Sequence, residues 1–281
     1  MLKYFWILTV LIFCGCASTT KQTDALFKGT VRSDFKPSVQ NIAPFIEQTA
    51  GHCGPATLTM AIQAAGQPAD LNQITSQVYN EKSKGSLQTD MISAARRQGL
   101  TAVTIKGYES LLSELQAGHV VIIFENLGLA WLPQWHYALV TGYNYDKKTL
   151  TMHSGPKANE EIDMAEFELS WKLTDYWGLV ILKPHELSAT APEISHLEAA
   201  AAFEKTGQLD EAKQAYLAVL KKWPQSLIAH IGLGNVYYGL KDFKAAVSYL
   251  EKAAEINPES SAAQNNLAIA RRTLAETSVK K

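Results

Sequence analysis

Cysteine is scarce in this chain: Cys14, Cys16 and Cys53 are the only three among 281 residues, and two of them fall in the first sixteen. That rules out a disulfide-dense scaffold. A surplus of charge is also missing, since 26 basic and 27 acidic residues leave a formal net charge of −1. No overall field points to nucleic acid or to an anionic membrane, so partners must be read from sites. The apolar run Tyr4 to Phe13 is too short to span a bilayer comfortably. Low complexity is absent as well: a hydrophobic fraction of 47% over this length supports a real core and about two domains.

The N-terminus has the layout of an export signal. Met1-Leu2-Lys3 is a short basic start, Tyr4 to Phe13 has h-region length, and Phe13-Cys14-Gly15-Cys16 resembles a bacterial lipoprotein box. Gly15 is the small residue before the cut, which makes Cys16 the expected lipidated residue and residues 1–15 the expected signal peptide. Ala17 after it, rather than Asp, favours an outer membrane, with the body facing the periplasm. Residues 16–36 show no sustained period and read as a tether.

With Cys16 acylated, Cys53 is the only thiol left and no internal disulfide is possible. Exported chains usually pair their cysteines or lack them, so a lone thiol points to reactivity. Its setting, Gln48-Thr-Ala-Gly-His-Cys-Gly-Pro-Ala56, seats the sulfur at a helix start. Pro55 suits the first turn, and unpaired N–H groups with the positive end of the helix dipole are expected to lower the thiol pKa. Gln48, five residues earlier, is near enough for its amide to share a pocket with the sulfur.

Pro37 and Pro44 lead extended chain into that turn, and Leu58, Ala61, Ile62 and Ala65 continue it as a largely buried helix. Further helices are expected from Asp70 to Tyr79, with Asp70 as N-cap, over Leu87 to Gln98 and over Tyr108 to Gln116. Strands follow around Val103, over Val120 to Phe124, over His136 to Tyr143 after an aromatic loop, over Leu150 to His153, and over Trp177 to Leu182. A short helix covers Phe167 to Leu173. Residues 37–186 thus form one domain of early helices and later strands, and 187–193 a linker.

Beyond it the texture turns Ala-rich, and Ala212 and Ala246, Tyr216 and Leu250, Pro224 and Pro258 recur at a spacing of 34 residues. That is the tetratricopeptide pattern, filling 194–276 with Ser261 to Glu276 as a capping helix and 277–281 as a tail. Such repeats most often dock peptides or proteins.

A thiol nucleophile needs a base and an oxyanion donor. Of the seven histidines, His136 opens a buried strand after a loop, which fixes its backbone at a cleft edge. His52 reads as a rim residue, and His119, His185, His196 and His230 as ordinary surface or repeat positions. The blocks Gln48 to Ala56 and His136-Tyr-Ala-Leu-Val140 with Gly142-Tyr143 resemble the papain-like cysteine peptidases of family 39, which remove double-glycine leaders, and their stand-alone relatives. The resemblance covers about Val39 to Pro184. It implies an α+β papain-like fold, Cys53 as nucleophile, His136 as base and acid, and Gln48 as oxyanion donor. Where the family places an Asp, this chain has Ser154, which accepts a hydrogen bond but carries no charge; Asn144, Asp146 and Asp163 stand as alternatives. The expectation is an exported, lipid-anchored thiol hydrolase acting on a peptide or protein, without cofactor or metal. Acyl transfer or amidase action by the same pair, or a silent binding scaffold, are the rivals.

Overall fold

The computed structural model describes residues 20–29, 34–49 and 51–279; the signal peptide, Cys16 and residues 17–19 and 30–33 of the tether lie outside them. Two parts follow one another, an α+β body and a helical array.

The body is built on one antiparallel sheet in the order β4-β9-β5-β6-β7-β8, with β1 beside the far end of β6. Its strands are β1 (Ser38–Gln40), β4 (Thr101–Lys106), β5 (Val121–Asn126), β6 (Trp135–Asn144), β7 (Thr149–Ser154), β8 (Lys157–Asp163) and β9 (Trp177–Leu182). A separate two-stranded ribbon joins β2 (Tyr79–Asn80) to β3 (Gly85–Ser86). The helices are α1 (Lys21–Phe27), α2 (Cys53–Ala64), α3 (Leu71–Val78), α4 (Gln88–Arg97), α5 (Gly107–Gln116) and α6 (Met164–Trp171).

Side chains alternate across the sheet, so each face has its own core. Tyr137 and Leu139 of β6 join Leu58 and Ile62 of α2, Ile74 of α3 and Met91 of α4. Ala138 and Val140 join Leu111 of α5 and Phe167 and Trp171 of α6. The expected order of helices and strands is present, and Asp70 caps α3 by accepting the Gln73 N–H. β8 was not expected because most of its side chains are exposed and Lys157-Ala-Asn-Glu-Glu offers no apolar alternation.

The structure adds to the sequence reading at three places. Part of the presumed tether is α1, welded to the body: buried Glu168 accepts the N–H groups of Gln22 and Thr23 (2.9 and 2.8 Å) and the Thr23 hydroxyl (2.6 Å). A seven-residue helix is too short to show a period, and a carboxylate from a distant element supplies what its own sequence lacks. The linker is also fixed. Buried Glu114 accepts the Ser188 hydroxyl, the Thr190 N–H (3.1 Å) and the Thr190 hydroxyl (3.0 Å) on one oxygen, and bonds His119 on the other (2.7 Å). Burial alone would push this carboxyl up, but those bonds hold it below the usual range. Finally, the last helix runs past the expected end of the cap at Glu276.

The array comprises α7 (Glu193–Lys205), α8 (Leu209–Lys222), α9 (Leu227–Gly239), α10 (Phe243–Ile256) and α11 (Ser261–Val279). Ala200, Ala212, Ala229 and Ala246 are fully buried, as close-packed helix pairs require. His196 and His230 are buried positions of the repeat helices α7 and α9. His119 is half-buried against Glu114, and His185 is exposed.

Candidate active site

Cys53 is the first residue of α2, a free, half-buried thiol. A Cβ on Gly54 would lie 2.5 Å from the Ser86 hydroxyl oxygen, so only glycine lets β3 close against the nucleophile turn. Burial pushes the thiol pKa up, while backbone hydrogen bonds from Tyr137, Gly54 and Cys53 itself pull it down. The lowered value expected from the helix start is therefore reversed in the resting site, because desolvation of the sulfur outweighs the N–H groups. The contact with Tyr137 sets the sulfur against the backbone of the residue after His136.

Gln48 is buried, and its amide is clamped at both ends. Nε2 donates to the Thr57 hydroxyl at 2.9 Å, Oε1 accepts the Gly155 N–H at 3.1 Å, and the Gln48 N–H donates to the Gly155 carbonyl at 3.1 Å. Thr57 in turn donates to the Tyr137 carbonyl at 3.3 Å. These bonds fix which end of the amide is the donor, and the second Nε2 hydrogen has no partner among the hydrogen bonds of the described residues.

His136 lies at the start of β6, half-buried, with Nε2 3.0 Å from the Ser154 Oγ. That contact engages Nε2 and leaves Nδ1 without a partner among the hydrogen bonds of the described residues. Burial lowers the imidazole pKa, opposed by the negative charge of Glu160. Ser154 reaches the ring because the β7–β8 register shifts between Met152 and Ser154, a bulge that re-aims a strand-end side chain. Ser154 and Gly155 thus bond His136 and Gln48 from one turn. The alternatives sit at the other end of the hairpin: Asn144 accepts the Lys147 N–H, Asp163 caps α6, and Asp146 lies in the turn after β6.

Cys53, Gln48 and His136 line one cavity of about 820 Å³, together with Ser83 to Leu87, Phe124, Leu127, Trp135 and Gly155. Leu127 and Trp135 of that lining are exposed, as are Leu129, Trp131 and Leu132 on the loop between β5 and β6. His52, next to Cys53 in the chain, stacks on Tyr79 at 4.5 Å. Among the described residues no group of three or more His, Cys, Asp or Glu is placed to hold a metal ion.

Three neighbours escaped sequence reasoning. Thr57 orients Gln48, and its only signal is a hydroxyl inside an apolar helix face. The β2–β3 ribbon supplies a cavity wall from strands too short for any pattern. Glu125 is the direct cross-strand partner of His136 and only 3% exposed. Its signal is an acid ending the apolar run of β5.

A helix-borne cysteine, a sheet-borne histidine and a buried glutamine thus line the same cavity. The family model described as Peptidase C39 like matches residues 33–178, and the chain belongs to that family. A tetratricopeptide-repeat model matches residues 197–261. Among solved structures, a double glycine motif protease from an AMS/PCAT transporter, crystallised with the leader peptide, is 24% identical with a TM-score of 0.42, over 51% of this chain and 93% of that one. The peptidase domain of Streptococcus ComA, described as a bi-functional ABC transporter involved in quorum sensing, is 17% identical with a TM-score of 0.41, over 50% and 96%. A protein described as a C39-like peptidase from Bacillus anthracis is 18% identical with a TM-score of 0.44, over 53% and 98%. No curated protein matches the chain.

Proposed function

We propose that this chain is a cysteine peptidase of the cell envelope, anchored through a lipid on Cys16, with its repeats docking a peptide or protein substrate or partner. The observation that carries the catalytic reading is the shared cavity, in which the Ser154-Gly155 turn holds both the His136 ring and the Gln48 amide beside Cys53. The Cys53 proton passes to His136 Nδ1, giving thiolate and imidazolium. The thiolate attacks a peptide carbonyl, and the oxyanion is held by Gln48 Nε2 and the Cys53 N–H. His136 protonates the leaving amine, then takes a proton from the water that releases the acyl-enzyme.

The resting thiol is raised, so nucleophilicity comes from pairing with the imidazole and not from the helix start alone. The test is the rate of Cys53 alkylation against pH. Reactivity below the ordinary thiol range that vanishes in His136→Ala supports the reading. A profile centred near the free value of about 8.5 and unchanged in His136→Ala would support the silent scaffold, which the uncharged Ser154 favours. Export and anchoring are tested by labelled palmitate, whose incorporation is lost in Cys16→Ser.

A further inference from the structure

The peptidase reading leaves one requirement unmet: Ser154 accepts from His136 Nε2 but brings no negative charge to the imidazolium. Charge is nonetheless close by. Glu125 on β5 stands directly opposite His136 on β6, and in-register antiparallel partners share a face with Cβ atoms ~5 Å apart. That is the face of Ser154's neighbour Met152 and of α6, where Ser170 Oγ lies 2.6 Å from Glu125 Oε2 and 2.9 Å from the Phe167 carbonyl. Ser170 donates to the Glu125 carboxylate, a bond that favours the ionised form, while burial and the charge of Glu160 push the carboxyl pKa up to about 7. The charge acting on Glu125 is that of Glu160 on β8, which is ion-paired with Lys157; α6 also carries Glu166 and Glu168, the turn after it Lys172, and β9 no ionisable group.

We propose, resting on the peptidase reading, that Glu125 is a positioning residue which supplies the charge of the missing triad acid from the strand beside His136. Ionised, it stabilises the imidazolium and with it the Cys53 thiolate; protonated, it does not. No proton leaves Glu125 during turnover.

The test is iodoacetamide alkylation of Cys53 in the full chain from pH 5 to 9. The wild-type rate is expected to show an inflection near pH 7. Glu125→Gln should remove that inflection and slow alkylation at pH 8 by about tenfold, the effect of one pKa unit at the dyad. Glu125→Asp should restore part of it. Ser170→Ala keeps the carboxylate but deletes a bond that favours its ionised form, so the inflection should move to higher pH. This variant decides the matter if Glu125→Gln fails to fold. An unchanged profile in Glu125→Gln and Ser170→Ala, with His136→Ala still inert, overturns the role of Glu125 and leaves the peptidase reading standing. Indifference to His136→Ala as well overturns both.

Discussion

The two halves of this molecule are held together by different means. In the body, polar groups buried far from their sequence neighbours act as latches: Glu168 secures α1, Glu114 secures the linker, and Gln48 ties the nucleophile turn to the end of β7. In the array, small residues do the corresponding work, with fully buried alanines at the helix crossings and Gly232 against the Tyr216 ring. Latches made of carboxylates and amides fix single side chains to within hydrogen-bond geometry, which a thiol–imidazole pair needs. Shape packing between adjacent helices repeats easily and fixes a surface, which docking needs.

The contrast can be broken at several points. Gln48→Ala is expected to have the largest effect, slowing acyl-enzyme formation by about 10²- to 10³-fold, equivalent to about 3–4 kcal/mol of barrier. Single-turnover kinetics check it, and a loss under tenfold would remove Gln48 from the oxyanion site. Next, a Cβ on Gly232 would lie 2.3 Å from a Tyr216 ring carbon, so Gly232→Ala should destabilise the array by about 2–3 kcal/mol. Denaturant melts read by helix content check this, while Cys53 alkylation in the folded protein stays unchanged.

Acid should also separate the halves. His196 is 2% exposed, its Nε2 has no hydrogen-bond partner, and burial together with the Lys222 charge lowers its pKa from 6.5 to about 4. A depressed folded value means stability is complete above pH 6.5 and falls away as pH drops toward 4. By pH 5 the expected loss is about 2 kcal/mol, absent in His196→Phe, as pH-dependent melts would show. The smallest effect is expected at the junction. Glu114→Gln should cost about 1–2 kcal/mol by weakening its bonds to Ser188, Thr190 and His119, and hydrogen exchange at Thr190 and Ala191 should rise before any change in the catalytic cavity.

How far each half was legible follows from the same contrast. The array is periodic, and its 34-residue spacing needs no tertiary information beyond the neighbouring repeat. The body's elements were legible where hydrophobic period was strong, as in α2, β5 and β6, and illegible where a partner far along the chain decided the outcome, as for α1 and the exposed β8. The site divides likewise. Cys53, Gln48 and His136 stand in short local blocks, and Ser154 follows them at the end of the return strand. Glu125 stands opposite His136 only through the register of β5 on β6, which no local pattern carries. The thiol's raised pKa was misjudged because burial depends on Tyr137 and the β3 ribbon, not on the helix start.

The docked α1 has a consequence for where such an enzyme works. Were residues 16–36 free, the catalytic body would roam within ~70 Å of its attachment point. With Lys21 already fixed to the body through its neighbours' bonds to Glu168, only the stretch from Cys16 to Lys21 is left to reach, at most ~18 Å of extended chain. A lipid on Cys16 would then make the protein a surface-bound tool with a short radius of action, and its substrates would have to come to the membrane rather than be sought in the space beyond it.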